Sequence, residues 1–178
     1  MFSNCDKVEN KNHTNNMLSA PLPANEDERL KKVLALGLLD SKPEERFDAI
    51  TREAVEFFKV PIATVTLIDD KREWYKSCQG LDVKQAPREI SFCAHAMLSR
   101  SIFIVEDTLK DDRFKDNPMV TRKPYIRFYA GVSLYDKDHI PIGVFCIKDT
   151  KPRSFGIEVV GAFMDFAARA QTELAKPV

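Results

Sequence analysis

The stretch IRFYAGVSLYDKDHIPIGVFCIKD, residues 126–149, decides the fold. Two runs rich in β-branched and aromatic residues flank the polar segment Tyr135–His139, the pattern of strand, turn and strand. Side chains alternate across a strand. Ile126, Phe128, Ala130 and Val132 therefore share one face, and Arg127, Tyr129 and Ser133 share the other. The first set is a natural packing surface for helices. The second mixes aromatic and polar groups, as the lining of a small-molecule pocket does. A second reading of Arg127, as a neutraliser of acids in the loop before it, stays open.

Working outward, VPIATVTLID (60–69) is β-rich and REWYKSC (72–78) fits its returning strand. Trp74 and Tyr75 are adjacent there, so they point to opposite faces. SFCAHAML (91–98) reads as a short helix capped by Ser91, and IFIV (102–105) as a short strand. EDTLKDDRFKDNPMVTRKPY (106–125) is a long polar connection, which is usually functional or carries a small helix.

Helices are expected at both ends. Asn25 followed by Glu26, Asp27 and Glu28 is a capping residue with acids in the first turn, and Gly37 marks the stop. A second helix is expected from Ser41 with Pro43 in its first turn, burying Phe47, Ile50, Ala54 and Phe57 or Phe58. From about Ser154 to Ala175, Val159, Phe163, Phe166, Ala170 and Leu174 fall at helical spacing. Ile157, Val160, Met164 and Ala167 form an adjacent apolar face. One face can cover the sheet and the other can meet a partner helix. Meandering antiparallel strands with helices at both ends predict an α+β sandwich.

Composition narrows the function classes. The 178 residues suffice for one domain with a real core, and 27 basic against 27 acidic residues show no bias toward nucleic acid. No apolar run reaches the roughly 20 residues that cross a bilayer, and the N-terminus lacks a secretory pattern. The expected location is the cytoplasm, where Cys5, Cys78, Cys93 and Cys146 would be free thiols. Residues 1–24 lack an apolar period and are expected to be a disordered tail, with the folded domain over 25–178.

Six blocks carry a family resemblance: RLKKVLALGLLDSKPEERFDAIT, PIATVTLIDDKREWYKSCQGL, REISFCAHAM, IVEDTLKDDRFKDNPMV, RFYAGVSLYDKDHIPIGVFCIKD and KPRSF. Their order resembles a GAF domain, of the kind that precedes histidine-kinase or diguanylate-cyclase output domains in bacterial and archaeal signalling proteins. The resemblance implies a central antiparallel sheet of five to six strands with the terminal helices on one face. On the other, Ser91–Met97 and Asp107–Val120 would roof a pocket floored by Arg127–Leu134 and Ile142–Lys148. It also implies a parallel homodimer through the terminal helices, here through Val159, Phe163, Phe166 and Ala170. Phe92, Cys93, His95, Arg113, Arg127, Tyr129, Ser133 and Cys146 are the expected ligand-binding residues.

Enzymatic readings are weaker. Cys93 and His95 stand two residues apart on a helix, about 200° around it, so they neither pair as nucleophile and base nor share a metal. The acids of DTLKDDRFKDNP lack the order of a calcium loop and read as turn and cap carboxylates, with Arg113 bridging them and Phe114 tucked inward. Free-methionine-R-sulfoxide reductases are also GAF-like and use a cysteine in the roof loop, but residues 107–125 contain none. No P-loop, nucleophile elbow or zinc-protease motif is present. The expectation is a non-catalytic sensory domain with an unidentified small-molecule ligand, no metal and no cofactor that the sequence names. Its output would be a separate kinase or cyclase of a two-component type. The alternatives are a dimerisation module with an empty pocket and a thiol-dependent sulfoxide reductase.

Overall fold

The computed structural model describes residues 17–177. The described residues form five α-helices and six strands. The helices are α1 (Glu26–Ala35), α2 (Glu45–Phe58), α3 (Phe92–Met97), α4 (Pro118–Thr121) and α5 (Ile157–Leu174). The strands are β1 (Ile62–Ile68), β2 (Arg72–Gln79), β3 (Gln85–Pro87), β4 (Phe103–Val105), β5 (Phe128–Tyr135) and β6 (Pro141–Asp149). They form one antiparallel sheet in the order β3-β2-β1-β6-β5-β4.

Strand alternation splits the protein into two layers of different chemistry. Ala63, Val65 and Leu67 of β1, Phe145 and Ile147 of β6, and Phe128, Ala130, Val132 and Leu134 of β5 face the long helices. They meet Phe47, Ile50, Ala54 and Phe58 of α2 and Phe163, Phe166, Ala170 and Leu174 of α5 in one apolar core. Burial of this kind contributes roughly 25 cal/mol per Å² of apolar surface. On the opposite face α3, α4 and the connection between them form a roof around Phe92, Phe114, Met119 and Tyr129. Trp74 joins the helix-side core. Tyr75 faces the other way, beside Lys148.

Several local expectations are corrected. Asn25 stands at the start of α1, but its side chain caps nothing. Arg29 instead anchors that turn: it is fully buried and binds Glu26 and the Ile68 carbonyl. Arg88 also binds Glu26, so one carboxylate joins α1 to the turn before α3. The second helix begins at Glu45, and Pro43 lies outside it. Ile126 packs under the roof rather than against the helices, because regular strand geometry begins only at Phe128.

The four α5 residues expected to meet a partner helix lie instead in or against this chain's own core. Phe163 and Ala170 are 0% exposed and Phe166 is 8% exposed, all within this chain's own core. Val159 packs against the same cluster. The sheet and α2 already occupy that face. Ile157, 86% exposed, and Met164, 43% exposed, are what α5 leaves open.

Residues 1–16 of the expected tail lie outside the described residues. Residues 17–23 carry no regular element, and the Leu18 carbonyl accepts a hydrogen bond from His95. Among the described residues no helix is long and apolar enough to cross a membrane.

Candidate functional site

The roof-side face of the sheet is buried yet polar. Thr64 and Thr66 of β1, Glu73 of β2, Cys146 and Lys148 of β6, and Tyr129 of β5 are all 0% exposed. Ser91 and Tyr75 are nearly so. Buried polar groups need partners, and here they form two connected sets.

The first set surrounds Glu73. Tyr75 donates its hydroxyl to one carboxylate oxygen at 2.6 Å, and Ser91 donates to the other. Ser91 also accepts from the Ala94 amide at 3.0 Å, so the α3 cap is tied to a strand carboxylate.

The second set converges on Cys146. Tyr129 donates to Cys93 Sγ at 3.3 Å, Cys93 donates to Cys146 Sγ at 3.7 Å, and Thr64 Oγ1 lies 3.1 Å from Cys146 Sγ. Gly131 makes the Tyr129 position possible. A Cβ there would stand 2.2 Å from the tyrosine hydroxyl, because the ring lies along the strand over the glycine.

Lys148 sits two residues from Cys146 on the same face of β6. Its Nζ is 5.6 Å from the Tyr75 ring centre and 6.0 Å from that of Tyr129. Among the described residues it is the one buried side-chain donor without a hydrogen-bond partner.

These contacts set the titration of the site. Burial alone would raise the Cys146 thiol. The Cys93 S–H, the charge of Lys148 and the Thr64 hydroxyl outweigh it and bring it to about 7. Burial, and then the bond that Cys93 gives to Cys146, push the Cys93 thiol well up. Burial works against the Lys148 charge, but Tyr75, Cys146 and Glu73 outweigh it and hold the ammonium protonated. Cys78, on the same face and half-buried, is pushed up to about 11, chiefly by desolvation.

Of the residues expected to bind a ligand, Phe92, Cys93, Tyr129, Ser133 and Cys146 converge between roof and sheet. Phe92 stacks on Phe114 at 4.1 Å and on Tyr129 at 5.2 Å. Ser133 donates to the Ala96 and Met97 carbonyls at 3.2 and 3.0 Å, closing the end of α3.

His95, Arg113 and Arg127 do not join them. His95 points outward, opposite Cys93 on α3, with its Nε2 3.0 Å from the Leu18 carbonyl. Desolvation lowers its pKa, so near neutral pH it is an uncharged donor. Arg113 is clamped by Asp111 and lies over the Phe103 and Phe114 rings at 4.8 and 5.3 Å, on the outer surface of the roof. Arg127 donates to the Val120 and Ile126 carbonyls, tying the roof connection rather than neutralising its acids.

Glu73, Tyr75 and Lys148 were missing from the expected set. The available signal was a charge inside an apolar strand, the Lys148 that ends IGVFCIK. A surface cleft of about 450 Å³ beside β2 is lined by Tyr75 and Cys78 together with residues of α2 such as Asp48 and Arg52.

A profile described as the GAF domain matches residues 42–174. Over 153 residues the chain is 39% identical to a cyclic di-GMP phosphodiesterase of Pseudomonas aeruginosa. The match covers 86% of this chain and 26% of that protein, so the chain spans about a quarter of its relative's length.

Two solved structures are similar. The GAF domain of an Acinetobacter phosphoenolpyruvate-protein phosphotransferase aligns with a TM-score of 0.58 at 15% identity, covering 86% of this chain and 94% of that one. A free methionine-R-sulfoxide reductase from Neisseria meningitidis, in complex with its substrate, aligns with a TM-score of 0.59 at 15% identity, covering 89% and 96%. At that identity the likeness speaks for the fold alone.

Proposed function

The chain belongs to the GAF family, and from that premise we propose that it is a non-catalytic regulatory domain that holds a small molecule between its roof and its sheet. The carrying observation is Lys148, fully buried with no acceptor for its ammonium. Neighbouring groups compensate its charge, but a buried donor without an acceptor still costs about 1–3 kcal/mol, more for a charged group. A ligand oxygen, from a carboxylate, phosphate or carbonyl, would supply the missing acceptor, with Tyr75 and Tyr129 offering aromatic faces to its body.

Phe92, Phe114 and Tyr129 fill the space in the closed form. Binding would therefore favour a conformer with the roof displaced. The roof is light enough for this: α3 has 6 residues and α4 has 4.

Output would pass through the helix layer on the other side of the sheet. The exposed Ile157 and Met164 of α5 offer a second copy of the chain an apolar surface. Similarity to part of a cyclic di-GMP phosphodiesterase supports an output that breaks such a nucleotide, with a kinase or cyclase as the other candidates. A thiol-enzyme reading draws on the 3.7 Å approach of Cys93 and Cys146. Against it, the roof connection from 107 to 125 contains no cysteine.

Native mass spectrometry after incubation with a small-molecule cell extract tests the proposal. A non-covalent adduct that is lost in Lys148→Met supports it. A protein that stays bare across extracts, or an adduct indifferent to Lys148, overturns it.

A further inference from the structure

Cys93 and Cys146 are 53 residues apart in sequence, on α3 and β6, and both are 0% exposed. Their sulfurs are 3.7 Å apart, with the Cys93 S–H directed at Cys146. Cys93 donates to Cys146, the Thr64 hydroxyl lies 3.1 Å from its sulfur, and the Lys148 ammonium, two residues along the same strand face, adds positive charge without bonding it. That is a setting for a thiolate. A structural core cysteine has no use for a buried ammonium beside it. A disulfide requires the sulfurs to close from 3.7 Å to roughly 2.05 Å, and α3, with six residues, is the short element that carries Cys93.

We propose that Cys93 and Cys146 are a paired modification site, a dithiol that a hydroperoxide converts to a disulfide, tying roof to sheet. The Cys146 thiolate attacks the peroxide and the O–O bond breaks. The sulfur gives up two electrons and becomes a sulfenic acid, and the departing alkoxide or hydroxide takes a proton from water. The Cys93 sulfur then attacks the sulfenic sulfur. Its own proton leaves with the hydroxyl as water, and the S–S bond forms. The sum is two thiols and one hydroperoxide giving one disulfide, one alcohol or water, and one further water. Oxidation would fix the roof in its closed position. The pair stands on its own geometry and does not depend on the ligand reading.

Cys78 supplies the internal comparison. It is half-buried and thus easier to reach, and desolvation raises its thiol although Lys148 and the Leu81 backbone act against that; what it lacks is a second thiol to pair with. Exposure alone would make Cys78 react first. The proposal requires the reverse.

The experiment treats the full chain with limiting hydrogen peroxide at pH 7, then maps cysteines by mass spectrometry after alkylation. A linked Cys93–Cys146 peptide pair, reversed by dithiothreitol, with Cys78 still alkylatable is the expected result. Cys93→Ala should leave a sulfenic acid at Cys146 that dimedone captures, while Cys146→Ala should leave Cys93 unmodified. In the unsubstituted protein the rate should fall about tenfold per pH unit below the Cys146 titration, as thiolate chemistry requires. That measurement needs no variant to fold. Oxidation of Cys78 ahead of the pair, a pH-independent rate, or a pair still reduced when Cys78 is fully oxidised overturns the proposal.

Discussion

Gly131→Ala should destabilise the protein far more than a glycine-to-alanine change in a strand usually does. The added Cβ would lie 2.2 Å from the Tyr129 hydroxyl oxygen, 2.7 Å from Cζ and 2.8 Å from Cε1. Ordinary contact needs about 3.5 Å or more, so the rigid ring must shift by about 1 Å. It has nowhere to go, being 0% exposed with Phe92 at 5.2 Å and Phe103 at 6.0 Å. Overpacking of this kind costs about 1–3 kcal/mol. Displacing the hydroxyl also breaks its bond to Cys93 and strands a buried phenol, for about 1–3 kcal/mol more. Reduced unfolded-state entropy returns about 0.4–1 kcal/mol, leaving a net loss of roughly 2–4 kcal/mol. Urea unfolding of Gly131→Ala, Tyr129→Phe and the double variant measures this. Removing the hydroxyl relieves the shortest clash, so the double variant should be more stable than the sum of the singles predicts, by at least about 1 kcal/mol. A loss under about 0.5 kcal/mol, or strict additivity, would mean that the ring does not lie over Gly131.

Other consequences are as direct. Phe163→Ala should cost about 3–5 kcal/mol, because the ring packs among Phe58, Phe145 and Phe155. Met164→Glu, on the open face of α5, should leave unfolding within about 0.5 kcal/mol but weaken self-association in sedimentation. Burial alone would raise the Glu26 carboxyl, but Arg29 and Arg88 outweigh it and hold it at about 2 against an ordinary 4.5. Its contribution is therefore complete above about pH 4.5 and fades as the pH falls toward 2. Unfolding curves of Glu26→Gln should converge with those of the unsubstituted protein over that window. The His95 ring should titrate below the ordinary 6.5 in a proton NMR series, and a midpoint above that value would contradict its desolvated setting.

The hairpin of residues 126–149 was legible because strict alternation carries its own face assignment. Phe128, Ala130 and Val132 reach the helix-side core, while Tyr129 and Ser133 reach the roof. Alternation misplaced Ile126 because it lies two residues before regular strand geometry starts. The periodicity of α5 showed two apolar faces, but periodicity alone cannot say which one the sheet takes. Cys93, Tyr129 and Cys146 were accessible to sequence reasoning as uncharged residues on inward faces. The roughly 200° between Cys93 and His95 already implies that an inward Cys93 turns His95 outward, whereas Arg113 was not legible, since the path of an irregular connection is set by tertiary packing. Glu73 and Lys148 were overlooked for a physical reason. Charged residues are almost never fully buried, so a strand carrying one is read as turning it to solvent. That departure from the usual rule is what singles out the site.

The thermal unfolding midpoint of the unsubstituted protein and of Lys148→Met, run in parallel against small carboxylates and phosphates, tests the ligand reading most directly. A compound present at about 100 times its dissociation constant adds about 2.7 kcal/mol, which raises the midpoint of a domain this size by roughly 5–10 °C. The account predicts at least one such compound, with its effect lost in Lys148→Met. A panel that shifts neither protein, or shifts both alike, would contradict it.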